Sequence, residues 1–193
     1  MIIGKHKLYT LIKLGLIQIE PFNESLLTDI GYNVTVSREY AYLRDLDYDE
    51  LRLDSDEVSE YIEKHTVKQG DSPYIHVPSK DVILLIMNEY IKLPRNICAI
   101  LTLRSSLARL GLSIPPTVID PCFSGRIVIE LINNTYCDYY IPINAPICKL
   151  VFMYTEDAEC YNGYYNNQDV TRIKPIKPID YNNDTSDTDK PSS

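Results

Sequence analysis

The sequence predicts a mainly β protein, a barrel or sandwich of the jelly-roll type with short helices at its N-terminus. From residue 72 onward, "SPYIHVP", "KDVILLIMNEYIKLP", "ICAILTL", "TVIDPCF", "GRIVIELINN", "YYIPI" and "PICKLVFMYT" follow one another. Each is short, rich in β-branched or aromatic residues, and closed by Pro, Asn, Asp or Gly, the signature of consecutive strands joined by turns. A chain of 193 residues with 45% hydrophobic and 24% charged residues suits one soluble domain with its own core.

The elements follow in order. In "KHKLYTLIKLG", Leu8, Leu11 and Ile12 keep helical spacing and Gly15 stands where a helix stops, which predicts a short N-terminal helix. "LIQIEPF" alternates as a strand and ends at Pro21. "NESLLTDIG" carries Asn23 as an N-cap and Gly31 as a stop, so a second short helix is expected before the strand "YNVTVS". Residues 45–60 hold eight acids in sixteen positions, which predicts a solvated loop or exposed hairpin. "VILLIM" at 82–87 reads as a buried strand. The polar, proline-rich stretch 172–193 is expected to be a disordered acidic tail, leaving residues 1–171 as the domain.

Composition removes several functions. A net charge of −8 and a pI near 4.9 have the wrong sign for a nucleic-acid partner, although a few local arginines still suit a small phosphorylated ligand. No apolar run approaches the roughly 18 residues of a membrane span, and the N-terminus lacks the pattern of a secretory signal, so a cytoplasmic address is expected. Cys98, Cys122, Cys137, Cys148 and Cys160 are odd in number and widely spaced, and His6, His65 and His76 are scattered. Free thiols and no zinc site are expected.

Two stretches carry chemistry. In "LRSSLARLGL", Arg104, Ser105, Ser106 and Arg109 sit at a spacing suited to a short helix after a strand. The hydroxyls, guanidinium forks and free N–H groups there suit phosphate oxygens. Downstream, Asp120 ends one strand and Glu130 lies ten residues on, within the apolar run Ile127, Val128, Ile129, Leu131 and Ile132. A hairpin through Ser124 and Gly125 is expected to bring the two carboxylates onto adjacent strands. A lone acid there is either turned outward by strand alternation or held inside for a purpose; half buried, it is expected to carry a raised pKa.

These motifs resemble those of the dCTP deaminase and dUTP diphosphatase superfamily, and within it the dCTP deaminase family. R-S-S-L-A-R-x-G is complete from Arg104 to Gly111. I-D-P-G-[WF]-x-G-x-[IL]-x-[IL]-E runs from Ile119 to Glu130 with one change, Cys122 for glycine. "NGYYNNQDVT" at 162–171 is similar to the C-terminal motif, with Tyr164 and Gln168 in place, and "GLIQIEPF" and "IGYNVTVS" match N-terminal segments, with Asn33 replacing an aspartate. The resemblance implies a homotrimer of distorted, β-clip-like jelly rolls with active sites between subunits and Mg²⁺ carried on the nucleotide triphosphate, without zinc. It implies that Glu130 takes a proton from the water attacking C4 of dCTP and passes one to the leaving ammonia. Arg104, Ser105, Ser106 and Arg109 would meet the phosphates and the region of the reacting base, Asp120 the deoxyribose 3′-hydroxyl, and Tyr164 and Gln168 would form a lid. The absence of an H-x-E…P-C-x-x-C signature agrees with chemistry that uses no zinc. Cleavage of dUTP to dUMP and pyrophosphate, both reactions together, or non-catalytic nucleotide binding are the alternatives on the same scaffold.

Overall fold

A period of two along Ser124–Asn133 frames the molecule: Gly125, Ile127, Ile129, Leu131 and Asn133 are buried, while Ser124, Arg126, Val128, Glu130 and Ile132 face the other side. Odd positions enter the core and even positions line the opposite face, as the pleat dictates. The computed structural model describes residues 1–42, 52–64 and 66–169.

The strands are β1 (Gln18–Glu20), β2 (Leu27–Thr28), β3 (Gly31–Tyr42), β4 (Thr66–Gln69), β5 (Tyr74–Val77), β6 (Val82–Lys92), β7 (Ile97–Leu103), β8 (Leu112–Ser113), β9 (Thr117–Ile119), β10 (Ser124–Asn133), β11 (Tyr139–Pro142) and β12 (Pro146–Tyr154). Among the described residues three α-helices accompany them, α1 (Lys5–Lys13), α2 (Asp56–Glu63) and α3 (Ser105–Ala108). The main sheet runs β8-β10-β6-β3-β12-β7-β9, and β5 and β11 form a separate pair. Its fold line is β3. The first half of that strand pairs with β12 from Tyr32 to Thr35, and the second half pairs with β6 from Val36 to Tyr42, across a register shift. Such an irregularity bends a strand and lets one sheet curl over itself. The core lies inside the curl, where Leu85, Met87, Ile127 and Ile129 join Val34, Leu101, Leu150 and Phe152 in one apolar cluster. This is the mainly β, curled jelly-roll architecture expected from the sequence.

Helix α1 forms as its spacing predicts, with Leu8 and Leu11 buried. Gly15, at φ +69°, turns the chain out while its N–H donates to Ile12 O at 2.9 Å. The second predicted helix is reduced to one 3₁₀ turn, Glu24–Leu26. Asn23 caps it through its side-chain oxygen, which accepts from Ser25 N–H at 3.0 Å, but Leu27 and Thr28 pair at once with β3 and end it. The acidic stretch also departs from expectation. Residues 56–63 are helical because Val58 finds a buried seat and Asp56 and Glu57 lie in the first turn, where acids complement the helix dipole. Residues 45–51 and the predicted tail 172–193 lie outside the described residues.

Two further expectations are corrected. The segments containing Asp120 and Glu130 are not a hairpin: β9 pairs with β7, whereas β10 pairs with β6 and β8. The turn between them crosses from one end of the curled sheet to the other. Cys122 and Cys160 are joined as a disulfide, with Cα atoms 5.0 Å apart, because the chain after β12 returns past that turn. Cys98, Cys137 and Cys148 are free. A separation of 38 residues hid the pairing from any reading of local spacing.

Candidate active site

Glu130 stands on the even face of β10 directly opposite Leu84 of β6. On the same face Val128 packs with Ala41, Leu84 and Ile86 as a small apolar cluster apart from the main core. The carboxyl is therefore half-buried among hydrocarbon, and burial pushes it above the usual carboxylate range, with its own backbone N–H offsetting part of the effect. The strand alternation turns Glu130 away from the core, and the curl of the sheet then covers that face.

What covers it is a cavity of about 390 Å³, within the size range of small-molecule sites. Its walls come from separate pieces of chain. Thr117, Val118 and Asp120 arrive from β9 and its end, Phe123 from the following turn, and Tyr161, Tyr165 and Gln168 from the segment after β12. Asp120 and Glu130 thus share one cavity even though their strands do not pair. Asp120 is exposed, Phe123 is 5% exposed, and the rings of Phe123 and Tyr161 lie 6.5 Å apart. An aromatic floor, an apolar wall and two carboxylates can hold a planar heterocycle with a polar edge.

The C-terminal segment is seated on the start of β10. Arg126 N–H donates to Gln168 O at 2.7 Å, Ser124 N–H to Asn166 Oδ1 at 3.0 Å, and Asn167 N–H to Ser124 O at 2.5 Å. The seat depends on Gly125. At φ +151°, a Cβ there would lie 2.6 Å from Gln168 N and 2.9 Å from Gln168 O, so only glycine lets the two main chains approach. Gln168 is 8% exposed and lines the cavity. Tyr164 is 48% exposed and stands outside it, its ring edge-on to Tyr165 at 5.2 Å. Tyr165 and Tyr161 are the cavity tyrosines that the sequence reading did not single out. The three tyrosines in "ECYNGYYNNQ", Tyr161, Tyr164 and Tyr165, offer no periodicity to rank them.

Arg104, Ser105, Ser106 and Arg109 lie elsewhere. All four are exposed around the single turn of α3. Arg104 is fixed by donating from Nη1 to Pro146 O at 2.8 Å and from its backbone N–H to Ile147 O at 3.0 Å. Arg104 and Ser106 open onto a second cavity of about 280 Å³ with Leu110, Tyr139 and Tyr140. The two cavities share no lining residue. Within one chain, then, the carboxylate group and the arginine-serine group are separate surfaces.

Polar contacts missed by sequence reading hold β10, β6 and β3 together. Arg126 donates from Nε to Met87 O at 2.8 Å and pairs with Glu39 at 2.5 Å. Glu89, 2% exposed, accepts from Thr35 N–H at 2.9 Å and from Thr35 Oγ1 at 2.8 Å. Burial holds the Glu89 carboxyl above its ordinary range, and the Thr35 bonds pull the other way. Among the described residues no three His, Cys, Asp or Glu side chains are grouped as a metal site.

The family model described as dCTP deaminase-like matches residues 2–155. A protein named dCTP deaminase from Caldivirga maquilingensis is 36% identical over 178 residues, spanning 92% of this chain and 98% of the relative. One of the same name from Acidianus ambivalens is 34% identical over 179 residues, spanning 92% and 99%. The crystal structure of 2′-deoxycytidine 5′-triphosphate deaminase from Agrobacterium tumefaciens superposes with a TM-score of 0.61 at 12% identity. The match covers 78% of this chain and 47% of that one, a likeness of fold.

Proposed function

The chain belongs to the dCTP deaminase-like family, and from that premise we propose that it converts dCTP and water to dUTP and ammonia. The observation that carries the proposal is Glu130, a carboxylate raised by burial and opening into a cavity of about 390 Å³ that also receives Asp120. A base held above the ordinary carboxylate range takes a proton from water more readily, and in its acid form returns one to a leaving amine near neutral pH. With the cytosine ring against Phe123 and the apolar wall, Glu130 removes a proton from water as its oxygen attacks C4 and passes it to N3. The same carboxylate then takes the proton of the new C4 hydroxyl and delivers it to the departing amino group, so ammonia leaves as the C4 carbonyl forms and the uracil ring keeps its N3–H. Asp120 at the exposed edge accepts the 3′-hydroxyl of the deoxyribose. Gln168, with Tyr161 and Tyr165, closes the cavity against bulk water, and Tyr164 extends that cover outward.

The triphosphate is assigned to Arg104, Ser105, Ser106 and Arg109. Exposed guanidinium groups and hydroxyls are donors suited to phosphate oxygens rather than direct metal ligands. Mg²⁺ accordingly belongs on the nucleotide, whose hard oxygens it prefers, and supplies charge neutralisation there. Asp120 and Glu130 line one cavity and Arg104 and Ser106 another in one chain, which supports a site completed by a neighbouring copy, in a homotrimer. No helix among the described residues is long and apolar enough to cross a membrane, and a cytoplasmic location belongs to the same proposal.

The test is to incubate the protein and Mg²⁺ with dCTP and, separately, with dUTP, resolving dUTP, dUMP, ammonia and pyrophosphate. The expected result is dUTP and ammonia from dCTP, falling about 10²-fold to 10⁴-fold in Glu130→Gln. Cleavage of dUTP alone, retained by that variant, would overturn the proposal in favour of a dUTP diphosphatase.

A further inference from the structure

The cavity beside Glu130 depends on a segment with little structure of its own. Tyr161–Gln168 contributes one isolated bridge, between Gln168 and Gly125, and otherwise lies as turns against β10 and the Asp120–Phe123 turn. Its proximal end is held where Tyr161 N–H donates to Pro121 O at 2.9 Å, and beside that bond Cys160 is joined to Cys122. Cys122 sits at φ +64°, a backbone conformation that suits glycine, so the cysteine is kept there against its local preference. The pair joins the residue two places after Asp120 to the residue just before Tyr161.

We propose that the Cys122–Cys160 pair is a positioning element of the active site, fixing the wall formed by Tyr161, Tyr165 and Gln168 against the Asp120–Phe123 turn so that the nucleoside enters a preformed pocket. The proposal rests on the deaminase reading for its kinetic consequence. With the clamp closed, the wall is ordered before substrate arrives. With it open, binding must order the wall, which weakens affinity and leaves chemistry at Glu130 intact, because β10 is held independently by its ladder to β6. Cys160 is exposed, so a dithiol reaches the bond. One reductant thiolate attacks a sulfur, the S–S bond breaks and the released thiolate takes a proton. The second reductant thiol then closes its own disulfide, leaving two protein thiols.

Dithiothreitol-treated and untreated protein should be compared by thiol titration in denaturant, dCTP kinetics and backbone amide exchange, beside Cys160→Ser and Cys122→Gly, the latter compatible with positive φ. Expected are three titratable thiols before reduction and five after, a KM for dCTP about tenfold higher on reduction, and kcat within about twofold. Both variants should carry four thiols, match the reduced protein in KM and exchange, and ignore the reductant. Amides of residues 163–168 should exchange faster on reduction while those of β10 do not. Five thiols before reduction, unchanged KM and exchange, or a joint loss of kcat and β10 protection would each overturn the clamp. If the untreated protein releases no ammonia from dCTP, the deaminase reading fails, and the exchange comparison alone decides the clamp.

Discussion

Replacing Gly125 with alanine tests how the C-terminal wall is held. At φ +151° an alanine carries backbone strain of about 1–3 kcal/mol, and its Cβ would stand 2.6 Å from Gln168 N, so the segment must move away. Movement breaks the Arg126–Gln168 and Asn167–Ser124 main-chain hydrogen bonds, each worth about 0.5–1.5 kcal/mol net. Two hydrogen bonds near 1 kcal/mol each and strain at the low end of its range amount to about 3 kcal/mol, concentrated on a segment that adds one isolated bridge to the sheet, so undocking costs less than distorting β10. Such a change is about a hundredfold in the docking equilibrium, which sets the upper limit of the loss in kcat/KM for dCTP. The assay is initial-rate ammonia release together with amide exchange at Arg126 and Asn167. Expected are a fall in kcat/KM of about tenfold to a hundredfold, loss of protection at both amides, and a fall in Tm of only a few degrees. Unchanged kcat/KM and protection would refute the view that Gln168 docking builds the pocket, and a collapse of Tm would refute the view that the seat is local.

Four more outcomes are expected. Since Glu130 must be ionised to take a proton from water, activity falls as pH drops through its raised pKa. Leu84→Thr, which brings a hydroxyl beside the carboxyl, should shift the acidic limb of kcat/KM to lower pH. The same burial makes the native carboxyl bind its proton more tightly than the unfolded chain does, so wild-type stability declines as pH rises through the native pKa. The Tm advantage of Glu130→Gln should therefore be larger at pH 8 than at pH 4 in calorimetry. Thr35→Val removes the hydroxyl that donates to buried Glu89, which should cost about 2 kcal/mol and about 6 °C in Tm. Finally, Glu130→Gln and Arg109→Ala chains, each inactive alone, should recover about a quarter of wild-type activity when unfolded together and refolded in equal amounts, if each site draws on two subunits. Recovery of none would place both residues' contributions within one chain.

How far the sequence reached is clearest on β10. Alternation alone puts Glu130 on the face opposite Ile127, Ile129 and Leu131, beside Val128, and both Val128 and Glu130 line the cavity. The helix α1, its stop at Gly15 and the long apolar strand β6 were equally readable, because spacing and turn chemistry act over a few residues. Residues 56–63 were misread because a charge run says nothing of the buried seat that Val58 finds elsewhere in the fold.

By itself, then, the sequence determined the strand periods, the faces they present and the chemical types gathered in two motifs, since each follows from bonds and contacts between near neighbours in the chain. Tertiary structure alone decided that Asp120 meets Glu130 across a cavity rather than a hairpin, that Cys122 finds Cys160, that Tyr165 rather than Tyr164 faces inward, and that the arginines stand apart from the carboxylates. Those outcomes depend on where β3 changes partners and the sheet curls over itself, a long-range choice made by burying one continuous apolar core, and no local spacing encodes it.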